Sequence, residues 1–207
     1  MTDQHMQHFN RNPIVAILRG LQPDEACNIA RALLDAGISM MEVPLNRPGA
    51  LEAITLIADN FADDIVVGAG TVLTPADVIN VQKAGGTFIV APNTDTDVID
   101  KTKELGLKSC PGVFTASEAF TALKHGADFL KLFPCDDVSP KTVKALKTVL
   151  PKNIPLLCVG GVNEHTIPEF LAAGADGFGI GSNIFKPGDS AKAVFEKANN
   201  LMKAIGN

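Results

Sequence analysis

Four stretches of this chain end a helix-like segment at a glycine and then enter a short apolar run. They are DAGISMMEVP from Asp35, KAGGTFIVAP from Lys83, KHGADFLKLFP from Lys124 and AAGADGFGIGS from Ala172. A helix commonly stops at a glycine in the left-handed conformation, and a short loop then feeds the next strand. The four glycines, Gly37, Gly85, Gly126 and Gly174, are spaced by 48, 41 and 48 residues. One strand–helix unit takes roughly 20–25 residues, so each interval holds two. The second unit between Gly85 and Gly126 is visible where Leu105-Gly106-Leu107 ends a helix and SCPGV follows.

Laid out in full, the alternation runs eight times. Apolar runs fall at Ile14–Leu18, Met40–Leu45, Ile65–Val72, Phe88–Pro92, Leu107–Val113, Phe129–Pro134, Ile154–Val162 and Gly177–Ile184. Between them lie helix-period stretches. Pro23-Asp24-Glu25, Pro75-Ala76-Asp77 and Ser139-Pro140 place proline or a carboxylate in a first turn, as helix N-termini prefer. Nearly continuous apolar strands separated by helices imply a parallel sheet covered on both faces. Eight units predict an α/β fold, a single (β/α)8 barrel of the TIM type, with short loops because about 200 residues is that fold's lower limit. The competing architecture, an open doubly wound sheet, uses five or six strands and leaves units over. The length of 207 residues fits one domain over 1–207, with 1–12 read as a polar lead-in.

Composition narrows the function. With 46% hydrophobic and 20% charged residues the chain can bury a substantial core. A net charge of -5 argues against a nucleic-acid or anionic-membrane partner, and Trp and Tyr are absent as stacking platforms. No apolar run approaches the ~18–20 residues of a membrane span, and the polar start carries no signal-peptide core. The expectation is a soluble cytoplasmic protein. Cys27, Cys110, Cys135 and Cys158 are scattered without a CxxC pair and read as buried, reduced thiols. His5 and His8 fall in what reads as a frayed start, and no histidine has metal-ligand spacing, so no metal site is expected.

Three charges stand where a barrel should be apolar. Arg19 closes the first run in AILRG, Glu42 sits inside the second in MMEVPL, and Lys131 sits inside the sixth in FLKLFP. Alternate strand residues point into a packed interior, where a charge is expensive unless paired or used. Lys131 shares a face with Phe129 and Phe133. If that face points inward, desolvation favours the neutral amine, a nucleophile that forms Schiff bases with ketones. The alternative is a lysine that pairs with Glu42 across the barrel and only fills space. Glu42 is the natural proton carrier beside a Schiff base. Arg19 suits a carboxylate or a phosphate, or else a salt bridge on the rim. The other thirteen lysines fall in helix or loop patterns and take no catalytic role.

The glycines suggest what is bound. Val159-Gly160-Gly161-Val162 ends the seventh run and Gly179-Ile180-Gly181-Ser182 the eighth. Such glycines let backbone N–H groups approach an anion, and in barrels the loops after strands seven and eight often hold a phosphate. Tight turn geometry alone is the other explanation. No GxGxxG or GxxxxGKS/T string is present, so neither NAD nor ATP is indicated. Thr71, Pro92 with Asn93, and Pro111-Gly112 end the middle runs and line a pocket or simply make turns.

Taken in order, AILRG, MEVPLNRP, GAGTVL, APN, CPG, LKLFP, VGGV and GIGS resemble the 2-keto-3-deoxy-6-phosphogluconate/6-phosphogalactonate aldolases, which are class I aldolases, over nearly the whole chain. The resemblance implies a TIM barrel with Lys131 as the Schiff-base residue and Glu42 as the proton-transfer residue. It implies substrate and phosphate contacts at Arg19, Thr71, Gly160, Gly161, Gly181 and Ser182, with Pro92, Phe133 and Val159 lining the substrate. The implied reaction cleaves a 2-keto-3-deoxy-6-phospho sugar acid to pyruvate and D-glyceraldehyde 3-phosphate, without metal or cofactor, in a homotrimer. Phosphogluconate-type members usually read E-V-T-L-R-T and carry Thr before the Gly-Gly pair. Glu42-Val43-Pro44-Leu45-Asn46-Arg47 and Val159 are closer to the phosphogalactonate branch, where that Val is linked to relaxed choice at C4. Two rivals remain: a phosphate-binding barrel isomerase or epimerase using Glu42 as base, and a barrel that only binds sugar phosphates.

Overall fold

The structure is a computed structural model that describes residues 4–206. Its strands are β1 (Ile14–Ile17), β2 (Met40–Pro44), β3 (Val66–Gly70), β4 (Phe88–Val90), β5 (Lys108–Cys110), β6 (Gly112–Val113), β7 (Leu130–Leu132), β8 (Leu156–Val159) and β9 (Gly177–Ile180). All pair in parallel, in the order β5-β4-β3-β2-β1-β9-β8-β7-β6. The two ends of that order, β5 and β6, are halves of one predicted run separated by Pro111. Proline has no N–H for a ladder, which explains the interruption. The result is a nearly closed eight-stranded ring, the (β/α)8 barrel, and the open-sheet alternative is excluded because β1 lies between β2 and β9.

Each strand except β5, which runs on into β6, is followed by a helix: α2 (Pro23–Asp35), α3 (Ala50–Phe61), α4 (Pro75–Lys83), α5 (Thr96–Glu104), α6 (Ala116–Lys124), α7 (Pro140–Val149), α8 (Ile167–Ala172) and α9 (Ala191–Ile205). Three begin at the prolines that marked them in the sequence. At α4 the Thr74 hydroxyl accepts from the Asp77 N–H at 3.1 Å while the Asp77 carboxylate accepts from the Thr74 N–H at 3.1 Å, a reciprocal cap. The four repeat glycines do end helices in the left-handed region, at φ between 84 and 98°.

Side chains alternate across the sheet with period two. Val15, Ile17, Met40, Val66, Phe88, Val90, Phe129, Leu157 and Val159 form one cluster inside the ring. Their neighbours Ile14, Ala16, Met41, Val67, Ile89, Leu130, Leu132, Leu156 and Cys158 belong to the larger core under the helices. Glu42 shares parity with Met40, and Lys131 with Phe129, so both point inward.

The start of the chain differs from expectation. Gln4–Arg11 is a helix, α1, rather than a frayed polar lead. Its Phe9 is buried inside the ring and meets the Phe129 ring edge-on at 5.3 Å, while Phe88 meets Phe129 at 5.5 Å. His8 is buried too, hydrogen-bonded to Ser39 at 2.8 Å, and burial holds its imidazole below the usual value. Met6 and Phe9, one helical turn apart, are the signal that a polar composition hid. Of the four cysteines, all free, Cys27 is half-buried and the other three are buried. Among the described residues no helix is long and apolar enough to cross a membrane. If α1 closes the barrel floor as a structural plug, Phe9→Ala lowers unfolding free energy by about 3–5 kcal/mol, readable as a fall in the urea midpoint; an unchanged midpoint contradicts the plug.

Candidate active site

The strands all point their C-terminal ends to one side, and the loops there surround a cavity of about 360 Å³. The residues tied to catalysis and substrate in the sequence line it: Arg19 in the turn after β1, Glu42 in β2, Thr71 after β3, Pro92 after β4, Lys131 in β7 and Phe133 beyond it, whereas Asn93, Pro111 and Gly112 do not and are left as turn and strand-break residues. Val159 ends β8, Gly160 and Gly161 follow, and Gly181 and Ser182 follow β9. Asn46 stands exposed and contributes nothing to the lining. A separate groove of about 570 Å³ runs between α2 and α9 on the outside of the barrel.

Strand register sets the two central groups. Glu42 lies beside Ile17 of β1 and Gly68 of β3, and Lys131 lies beside Gly112 of β6 and Leu157 of β8. Both are buried, at 2% and 7% exposure. The Lys131 Nζ lies 4.7 Å from the centre of the Phe133 ring, and among the described residues no carboxylate comes within 4.0 Å of it. The direct ion pair that would have made both residues space-fillers is not formed.

Glu42 is held without a partner. Its Oε2 is buried and hydrogen-bonds to nothing among the described residues. Burial pushes its carboxyl up to about 7, against the opposing pull of the Lys131 and Arg19 charges. A carboxyl poised there is protonated below neutrality and ionised above it, so it can accept or return a proton near pH 7.

Backbone features that the sequence reading passed over make this possible. A Cβ on Gly70 would overlap the Glu42 carboxylate, so the absence of a side chain in GAGT is what gives the acid its slot. Thr71, next in the chain, has φ 55°, a left-handed conformation that a β-branched residue rarely adopts. Such strain persists only where the surroundings enforce it, and here it accompanies a residue lining the cavity. Gly160 and Gly161 take φ of 105 and 66°, and a Cβ on either would crowd Asp136 at 2.8 and 2.6 Å.

Six lining residues were not foreseen: Ile17, Pro44, Asn183, Phe185, Lys186 and Pro187. The Asn183 side-chain amide donates to the Val162 carbonyl at 2.8 Å, tying the loop after β9 to the loop after β8. Lys186 counted among the lysines without a role. Its only sequence signal is the proximity to GIGS, and the turn that brings it back over the cavity is invisible in a residue string.

A barrel whose strand ends present a buried lysine and a buried carboxyl to a common cavity defines an enzyme of the class I aldolase type. The chain belongs to that class by descent as well: residues 6–199 match the KDPG and KHG aldolase family, of which it is a member. It is 41% identical, over 96% of its length and 97% of the relative's, to 2-dehydro-3-deoxy-6-phosphogalactonate aldolase of Escherichia coli (strain K12). It superposes on a solved structure described as native KDPGal with TM-score 0.91 and 42% identity, covering 93% of each chain. A cube-shaped protein cage designed by fusing symmetric oligomeric domains contains a chain that matches it with TM-score 0.90 and 42% identity, covering 93% of this chain and 71% of that one.

If the bare Gly70 backbone is what seats Glu42, Gly70→Ala displaces the carboxylate by roughly an ångström and lowers aldol-cleavage kcat on the order of a hundredfold. Steady-state kinetics on the folded variant decide it, and a kcat within twofold of the parent removes Gly70 from the site.

Proposed function

We propose that this protein cleaves a 2-keto-3-deoxy-6-phospho sugar acid, of the phosphogalactonate type, to pyruvate and D-glyceraldehyde 3-phosphate through a Schiff base on Lys131. The observation that carries the reading is the pair of buried, mutually unpaired groups, Lys131 and Glu42, facing one cavity at the strand ends.

The free amine of Lys131 adds to the C2 carbonyl, and the resulting carbinolamine takes up one proton from solvent and loses water to leave a protonated imine, the same proton being given back when the imine is finally hydrolysed. Glu42 as carboxylate takes the C4 hydroxyl proton, directly or through one water. The electrons of the C3–C4 bond flow into the imine, giving an enamine, and C4 leaves as the aldehyde of glyceraldehyde 3-phosphate. The proton held by Glu42 returns to C3 of the enamine. Water then adds to the imine, releasing pyruvate and restoring the amine. The imine accepts the electron pair throughout, so no step in this sequence calls for a metal or an organic cofactor.

The far end of the substrate carries its phosphate. Gly160, Gly161, Gly181 and Ser182 line the opposite part of the cavity with backbone and one hydroxyl, the lining that suits an anion. Thr71, Pro92, Phe133 and Val159 line the space between. Binding energy gained at the phosphate, remote from the breaking bond, holds C2 in register with the amine. Val159, without a hydroxyl, favours the phosphogalactonate branch. We read residues 1–207 as one unit that works as a homotrimer in the cytoplasm; the designed cage relative built from symmetric oligomeric domains supports the assembly, and four free thiols suit a reducing compartment.

Incubation with pyruvate and borohydride should leave an irreversible adduct on Lys131, located by peptide mass mapping, and no adduct on the Lys131→Ala protein. An isomerase or a passive sugar-phosphate binder gives no adduct in either.

Because burial raises the Glu42 carboxyl to about 7, its base form is lost as pH falls. The acid limb of kcat/KM therefore bends near pH 7, activity rising above it. Glu42→Gln lowers kcat by about 10²–10⁴-fold and abolishes that limb; a limb that survives the substitution belongs to another group.

A further inference from the structure

The lining of the cavity contains three cationic side chains, Arg19, Lys131 and Lys186, and a single carboxylate, Glu42. Two of the cations are engaged at the reacting end. Lys131 forms the imine in the reading above, and the Arg19 charge reaches the Glu42 carboxyl along with that of Lys131. The Lys186 charge is felt by Asp189 on its own loop. This lysine stands on the loop after β9, with Gly181 and Ser182, and the opposite wall is the Gly160-Gly161 turn after β8.

The backbone under Lys186 is anchored on both sides. The Ile184 and Phe185 N–H groups donate to the Gly181 carbonyl at 2.9 and 3.0 Å, and both side chains are buried. The Lys186 N–H itself donates to the Asp189 carboxylate at 2.7 Å. Asn183 fastens the same loop to Val162. The side chain, by contrast, is exposed, and its ammonium makes no ion pair within 4.0 Å among the described residues. The Lys186 charge is felt by the Asp189 carboxylate on the same loop without pairing to it, and an anchored backbone that brings such a lysine into the lining of a cavity with two glycine-rich turns suits a doubly charged oxyanion, for which lysine serves as a mobile point charge.

We infer that Lys186 is the residue that selects phosphorylated substrates, its ammonium pairing with the phosphate monoester at the end of the sugar acid remote from C2. The inference rests on the aldolase reading and adds to it a specificity residue. Backbone amides fix where the phosphate lies; Lys186 supplies the charge that distinguishes a phosphate from a hydroxyl.

The test compares cleavage of the phosphorylated acid and its unphosphorylated counterpart by the parent, Lys186→Gln and Lys186→Arg proteins, after borohydride trapping of pyruvate on the parent. A hydrogen bond to a charged group is worth about 1.5–3 kcal/mol, so Lys186→Gln should raise KM for the phosphorylated acid roughly ten- to hundredfold with a much smaller change in kcat. KM for the unphosphorylated acid should move less than about twofold, within the scatter expected of a surface change. Lys186→Arg should restore most of the preference. Equal losses on both acids, or no change on either, overturn the assignment of Lys186 while trapped pyruvate keeps the aldolase reading. Absence of a trapped adduct on the parent overturns the aldolase reading and Lys186's role together.

Discussion

A nearly closed eight-stranded ring packs the lower part of its interior with apolar side chains, and everything particular about this protein follows from placing two ionisable groups above that packing. Below them the ring is dry: Phe9, Phe88 and Phe129 meet edge to face, with Phe9 delivered from outside the ring by α1. Above them lies the cavity. Glu42 and Lys131 therefore sit at the boundary between an apolar plug and the substrate space, desolvated by the first and open to the second. Removing the plug would let water reach the carboxyl from beneath, so the packing of the floor and the acidity of the site are one problem.

The carboxyl is also shaped from the side. Gly70 yields the volume that Glu42 occupies, and the chain immediately enters the strained turn at Thr71. An acid so confined keeps its buried Oε2 without a partner, which raises its affinity for a proton and leaves an acceptor to be satisfied by whatever enters the cavity. This is an environment prepared for the reaction rather than for stability, since a paired and hydrogen-bonded carboxylate in the same place would be more comfortable and less useful.

The cavity divides by charge. In the proposed reaction the keto-acid end meets the fixed groups of the strands, where register holds positions closely. The phosphate end would meet the loops after β8 and β9, whose glycines expose backbone and whose one lining cation, Lys186, sits on a flexible stem. Strand-borne groups suit bond making, which tolerates little displacement; a loop-borne ammonium suits attraction of a charged tail, which tolerates more.

The repeat of glycine-ended helices and the proline starts of α2, α4 and α7 are local events, decided by a few neighbouring residues, and so the order and number of units were legible in the string of residues. So was the anomaly of Lys131 and Glu42, because a charge within an apolar strand contradicts its surroundings whatever the fold. The break at Pro111 was written there too, but only closure of the ring shows it as one strand shared between β4 and β7. The burial of α1, the fit of Gly70 against Glu42, the missing ion pair between Lys131 and Glu42, and the return of Lys186 over the cavity were decided by tertiary structure alone. Each of these joins residues that the chain keeps apart, or turns on distances of a few ångströms between side chains from different strands. Period and composition determine which face a residue occupies; what it meets there depends on how the ring closes.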